Sequence, residues 1–205
     1  VITKQFIEHF VHIKNNNLSL NGNVLFKNDV EDFSEFIKAA YRALNTKYPK
    51  FFKMDNLSKL AFLAADVLLM TSPSELKENK NIAIVFSNRA SSLDTDRKHQ
   101  ASIANKDNYY PSPAVFVYTL PNICIGEISI KHKLFSENSF FIFEDFNADY
   151  LMHYTNSLFL AEKAEKVLCG WVDFDEENYE AFLYLVGSKG SIPHNIEEIT
   201  RLYTL

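Results

Sequence analysis

Residues 81–87 read NIAIVFS, an apolar run with no polar alternation, which is the pattern of a strand covered on both faces. SFFIF at 139–143 has the same character, and two more strand-forming stretches lie at 166–174 and 179–186. Strands of this kind need layers above and below, so the intervening sequence must supply helices. Asp32 and Glu35 stand at capping-box spacing around Phe33, Phe36, Ile37, Ala40, Tyr41 and Leu44, which recur at helical spacing. Asp55 precedes a second stripe, Leu57, Leu60, Ala61, Ala64, Val67 and Leu68, which TSPSE at 71–75 breaks. Asn147 or Asp149 is placed to cap a helix carrying Tyr150, Leu151, Tyr154, Leu158 and Ala161. A short tail helix is expected at 196–203. Near the start, 6–13 reads as a strand and 18–26 as a hairpin around Asn21-Gly22. Strands separated by helices imply parallel crossovers, and the acidic turn at 175–178 makes the last two strands a hairpin. The expected fold is therefore α/β. It is a mostly parallel mixed sheet with an antiparallel edge strand and helices on both faces, in one domain over residues 1–205.

Charge and cysteine usage exclude several classes of function. Lys and Arg number 21 against 26 Asp and Glu, with no basic tract, so no nucleic-acid partner is implied. No apolar run approaches the roughly 18 residues of a membrane span. Cys124 and Cys169 are too few for a disulfide scaffold, which points to a reducing, cytoplasmic setting. The sequence starts at Val1, and its first 14 residues have no signal-peptide core. Eighteen Phe and ten Tyr stand against five Gly, a shortage in the residue that phosphate loops and nucleophile turns use for close backbone approach.

Histidines and acidic clusters give no metal site. His9 and His12 are three apart on a strand and point to opposite faces. His99, His132, His153 and His194 are scattered. Asp173, Asp175 and Glu177 match a calcium loop for three positions, but Asn178 takes the glycine position and Tyr184 the position of the closing glutamate. Ser87 to Ser92 follows a strand as a phosphate loop does, yet lacks glycine and lysine. No metal and no cofactor are expected.

Three segments resemble the β-ketoacyl-acyl-carrier-protein synthase family. Phe52-Lys53-Met54-Asp55, leading into an alanine-rich helix, resembles the family's R-M-D segment. Leu120-Pro121-Asn122 through Gly126 to Ile130 resembles its L-P-N-x-x-x-G-x-[IV]-[SA]-[IV] helix, and Lys131 to Leu134 stands for the x-x-G-L loop that follows. Ala164 to Trp171 lies where the family has A-D-x-x-x-x-G-G. The third match is ungapped from Asn138 and sets Asp145 at the position of the family's nucleophilic cysteine, followed by Phe146, Asn147 and Ala148 in place of small residues.

The resemblance implies a half-thiolase-like layered fold covering the family's N-terminal half only. Family members are roughly twice as long and keep two histidines and a lysine in the other half. A cysteine at a helix N-terminus gains acidity from the dipole and an oxyanion site from backbone N–H groups. An aspartate there is a resting carboxylate whose charge opposes a developing oxyanion. Asp145 then reads as a helix cap, with a base for malonyl decarboxylation as the sharper alternative, and no catalytic residue is expected. The implied function is a non-catalytic, chain-length-factor-like accessory subunit in fatty-acid or polyketide-type biosynthesis. Its partner would be itself or a full-length condensing enzyme, with acyl carrier protein a further partner. An acyl-chain or carrier-binding module is the rival reading. Ser139, Phe140, Phe141, Ile142 and Phe143 would form the dimer strand, the alternative being cover by the chain's own helices.

Overall fold

The computed structural model describes residues 4–29, 32–71, 81–107 and 109–205. One sheet has eight strands, β1 Phe6–Lys14, β2 Asn17–Leu20, β3 Asn23–Lys27, β4 Ile82–Asn88, β5 Asn138–Ile142, β6 Lys166–Asp175, β7 Asn178–Gly187 and β8 Ile192–Pro193. Their order is β3-β2-β1-β7-β6-β4-β5, with β8 beside β1. The helices are α1 Phe33–Ala43, α2 Asn56–Leu69, α3 Leu93–Ile103, α4 Pro113–Val117, α5 Ile123–His132, α6 Ala148–Leu160 and α7 Ile196–Tyr203, plus a 3-10 turn at Pro49–Lys53.

The α/β class and helices on both faces agree with expectation, but the balance of strand directions does not. Among the described residues, only β4 with β5 and β4 with β6 are parallel; every other pairing is antiparallel. Nor is the β6–β7 hairpin an edge, because β1 pairs along the whole outer side of β7. The cause lies in the first 27 residues. Their tight turns add three antiparallel strands, and at Asn21-Gly22 both residues have positive φ, 51° and 80°.

Caps start the helices where the sequence indicated. Asp32 accepts from the N–H groups of Ser34 and Glu35, and Asp55 from that of Ser58. Residues 72–75 of the expected α2 break lie outside the described residues. β4 is buried along its whole length and divides two cores. Ile82, Ile84 and Phe86 face one side with α1, α2 and α5. Ala83 and Val85 face the other with α6 and α7. The excess phenylalanines fill these cores as ring pairs; Phe33 lies 4.8 Å from Phe174, and Tyr41 lies 4.4 Å from Phe51.

Candidate functional site

A cleft of about 830 Å³ opens at the carboxyl ends of β4, β5 and β6, the end at which α/β sheets commonly hold ligands. Its walls are Arg89 after β4, residues 143–149 after β5, Trp171 and Asp173 of β6, Glu180 of β7, and Ile196, Thr200, Tyr203 and Thr204 at α7. One carboxylate fixes the mouth. Asp173 Oδ1 accepts from the backbone N–H groups of Arg89 at 3.1 Å and Ala90 at 2.9 Å, while Arg89 Nη2 stands 3.8 Å from Oδ2. The remaining carboxylates are Glu144, Asp145, Asp149 and Glu180. Tyr203 donates to Glu180 Oε2 at 2.7 Å. Burial, that bond, and the charges of Glu180, Asp145 and Asp173 raise the phenol's pKa, holding it protonated.

Asp145 is exposed in this cleft and does not cap α6. Asn147 has that seat: its Oδ1 accepts from Tyr150 N–H at 2.9 Å, and the helix begins at Ala148. Between the two, Phe146 turns inward, its ring centre 4.3 Å from Tyr203, 5.6 Å from Phe182 and 6.3 Å from Trp171. That inward turn carries the backbone past Asp145 before the helix starts. Asn147→Ala should cost about 1 kcal/mol, and Asp145→Ala less than about 0.5 kcal/mol, in chemical denaturation. The reverse order would restore the cap to Asp145.

SFFIF is not a strand buried on both faces. β5 is the last strand of the sheet among the described residues, with Asn138 and Ile142 exposed and Ser139, Phe140 and Phe141 half-buried. Phe143 N–H donates to Asn88 O at 2.9 Å, and Glu137 O accepts from Ile84 N–H. The alternation of the strand therefore turns the backbone groups of Asn138, Phe140 and Ile142 to the open edge. On the α6 side, Phe141, Phe143, Tyr150 and Tyr154 form one aromatic cluster, and Ser139 Oγ lies 2.6 Å from Tyr154 Oη. Exposed apolar residues crowd the chain leading to this edge. Tyr109, Tyr110, Phe116, Val117, Leu120, Ile130 and Phe135 all lie in the stretch that ends at Ile142.

Both cysteines are buried, Cys124 in the core under α5 and Cys169 in the core under α6. Burial pushes the Cys124 thiol up and the Cys169 thiol up to about 11. His9 and His12 lie on opposite faces of β1 as expected: His9 meets Asn21 at 3.0 Å, and His12 stacks on Phe182 at 4.8 Å. Among the described residues, no group of three or more His, Cys, Asp or Glu is placed to hold a metal. No described helix is long and apolar enough to cross a membrane.

Sequence reasoning missed Glu127, whose carboxylate is buried. It accepts from Tyr48 at 3.2 Å and Tyr118 at 3.1 Å and pairs with Lys50 at 2.7 Å. Its place in the apolar stretch ICIGEISI at 123–130 was the available signal, and a lone glutamate there did not disclose its partners. The α7 wall was missed for another reason. A short amphipathic tail helix says nothing of where it docks.

No family model matches the sequence, and no curated protein matches it. Solved structures do match. The ishigamide ketosynthase/chain length factor superposes with a TM-score of 0.64 at 16% identity, covering 90% of this chain and 62% of that chain. A type II polyketide synthase complex, AntDE:AntF, of an acyl-carrier protein with its ketosynthase bound to the hexaketide gives 0.62 at 13% identity, covering 89% and 62%. The fold is that of the thiolase-like ketosynthases. The chain spans about three fifths of the length of those two ketosynthase-fold chains. A chain of nearly its own length also carries this ketosynthase fold. It belongs to the complex of the ketosynthase ApeO with its chain length factor ApeC from Xenorhabdus doucetiae. The TM-score there is 0.60 at 15% identity, covering 98% of this chain and 90% of that one.

Proposed function

We propose that this chain is a non-catalytic accessory subunit of the chain-length-factor type, which pairs through the β5 edge with another chain of ketosynthase fold in fatty-acid or polyketide-type assembly. The observation that carries the reading is the separation of the thiols from the cleft. Cys124 and Cys169 are buried in the two cores with thiols pushed up. The strand-to-helix turn that meets the cleft offers Glu144, Asp145 and Phe146 instead. The resemblance sets Asp145 at the cysteine position, and carboxylates around it would repel the oxyanion of an acyl-transfer step. The ketosynthase–chain length factor complexes among the structural matches favour pairing over independent action.

An acyl-chain pocket is not favoured, because most of the phenylalanines pack in the cores and the cleft that Phe143 and Phe146 reach is rimmed with carboxylates. Incubation with a radiolabelled acyl thioester of a carrier protein tests the catalytic half of the reading. The expected result is no label retained on the protein. Label retained by the wild type and lost in Asp145→Ala would overturn it.

A further inference from the structure

We propose that the cleft at the carboxyl ends of β4, β5 and β6 is a docking groove for an extended basic peptide segment of a partner protein. This use of the cleft rests on the reading that no acyl transfer occurs there, and it adds an occupant.

The groove is longer than the main cavity. A second cavity of about 270 Å³ continues it past the β6–β7 turn, and the two share Trp171, Asp173 and Glu180. Six carboxylates line the pair, Glu144, Asp145, Asp149, Asp173, Glu177 and Glu180, against the single cation of Arg89. The dipole of α6 favours the three beside its start, but it has no bearing on Glu177 in the turn or Glu180 on β7. Part of the charge is already balanced. Asp173 holds the backbone of Arg89, Tyr203 donates to Glu180, Lys14 stands opposite Glu180 in the sheet, and His153 lies 3.3 Å from Asp149. Glu144 and Asp145 are exposed and, among the described residues, have no ion pair.

Carboxylates spread in this way do not chelate an ion, and no group of three or more His, Cys, Asp or Glu among the described residues is placed to do so. They suit a ligand whose positive charges are spaced along a chain. Trp171 adds a second requirement. It is 5% exposed and lines both cavities where they meet, and among the described residues its indole N–H donates to no acceptor. A fixed, partnerless donor calls for an acceptor on the ligand. Ammonium groups carry none, so a free polyamine leaves the indole unpaired. A peptide brings backbone carbonyls together with its Lys or Arg side chains. Phe143 and Tyr203, on the same walls, offer apolar surface to the stems of those side chains.

Trp171 is the only tryptophan in the chain, so its fluorescence reports on the groove directly. Titrations of the full chain at constant ionic strength use three probes: a capped peptide of four Lys-Gly repeats, spermine, and the matching Glu-Gly peptide. A saturable change is expected with the Lys-Gly peptide, about tenfold weaker binding with spermine, and no change with the Glu-Gly peptide. Combining Glu144→Gln with Asp145→Asn should raise the Kd of the Lys-Gly peptide about tenfold without moving the melting temperature, since both side chains are exposed. If that variant melts early, Asp145→Asn alone carries the comparison. Spermine bound as tightly as the Lys-Gly peptide would overturn a peptide as the occupant. A variant that binds like wild type, or no saturable change with any probe, would overturn the groove. Acyl labelling is unaffected by these outcomes, so the non-catalytic reading stands or falls separately.

Discussion

Gly170→Ala should lower the melting temperature by roughly 10 °C, equivalent to about 3 kcal/mol or more in a chain of this size. Gly170 sits in β6 with φ of 149°, a backbone conformation that side chains rarely adopt. A Cβ there would lie 2.1 Å from the carbonyl oxygen of Phe182 and 3.0 Å from Leu183 Cα. Neither atom can yield, because both belong to β7, which is held by β6 on one side and β1 on the other. Glycine also places its carbonyl to accept from Ser87 Oγ at 3.2 Å, which ties β6 to β4 next to the cleft. Gly22→Ala is the control. Gly22 has φ of 80° but open space around it, so only the turn is strained, at about 1 kcal/mol. Equal losses at the two positions would mean that the sheet can slide to admit the methyl group.

Acid should destabilise the fold well above the usual carboxylate range. Burial, with help from Lys14, brings the pKa of His12 down to about 4, against a raising contribution from the Tyr203 backbone. Burial alone brings His194 down to about 4. Each histidine is neutral in the folded chain and takes up a proton in the unfolded chain once pH falls below about 6.5. The unfolded state therefore binds more protons between pH 6.5 and 4, so stability is full above that window and falls as pH drops through it. The loss approaches roughly 3 kcal/mol per histidine by the lower limit. Among the described residues, His12 Nε2 and both ring nitrogens of His194 are buried without a hydrogen-bond partner, so only the Tyr203 backbone beside His12 opposes the cost of the added charge. Urea denaturation at pH 7 and pH 5 measures the effect. A His12→Phe, His194→Leu double variant should lose most of its pH dependence in this range. A wild type equally stable at both pH values would sink the argument.

How much of this was legible in the sequence depended on how local the cause was. The both-face burial of β4, the Asn21-Gly22 turn, and the caps Asp32 and Asp55 are each decided within a few residues, and they could be read. The sheet's antiparallel majority could not, because β1 finds β7 across more than 160 residues and no nearby signal announces it. SFFIF misled for a physical reason. Its phenylalanines are half-covered by α6 tyrosines on one side and the α5 core on the other, so an edge strand has the composition of a central one. At the site, Asn147 was one of two caps the sequence offered for α6, and the reading of Asp145 as the cap gave way because Phe146 fills the pocket between Trp171, Phe182 and Tyr203.

The division of β4 between two cores bears on how its alignment is encoded. A strand that is apolar on both faces has no polar side to forbid a one-residue slip, so alternation of polarity cannot hold it in place. Volume can. Ile82, Ile84 and Phe86 fill one core, while Ala83 and Val85 leave space in the other. In β7 the largest rings, Phe182 and Tyr184, lie on the side where β4 is small, and Ala181, Leu183 and Leu185 on the side where it is large. Shifting β4 by one position would drive Phe86 against those aromatic rings and leave a void beneath α2. Large and small residues thus act as the teeth of a key along a strand whose hydropathy alone is featureless.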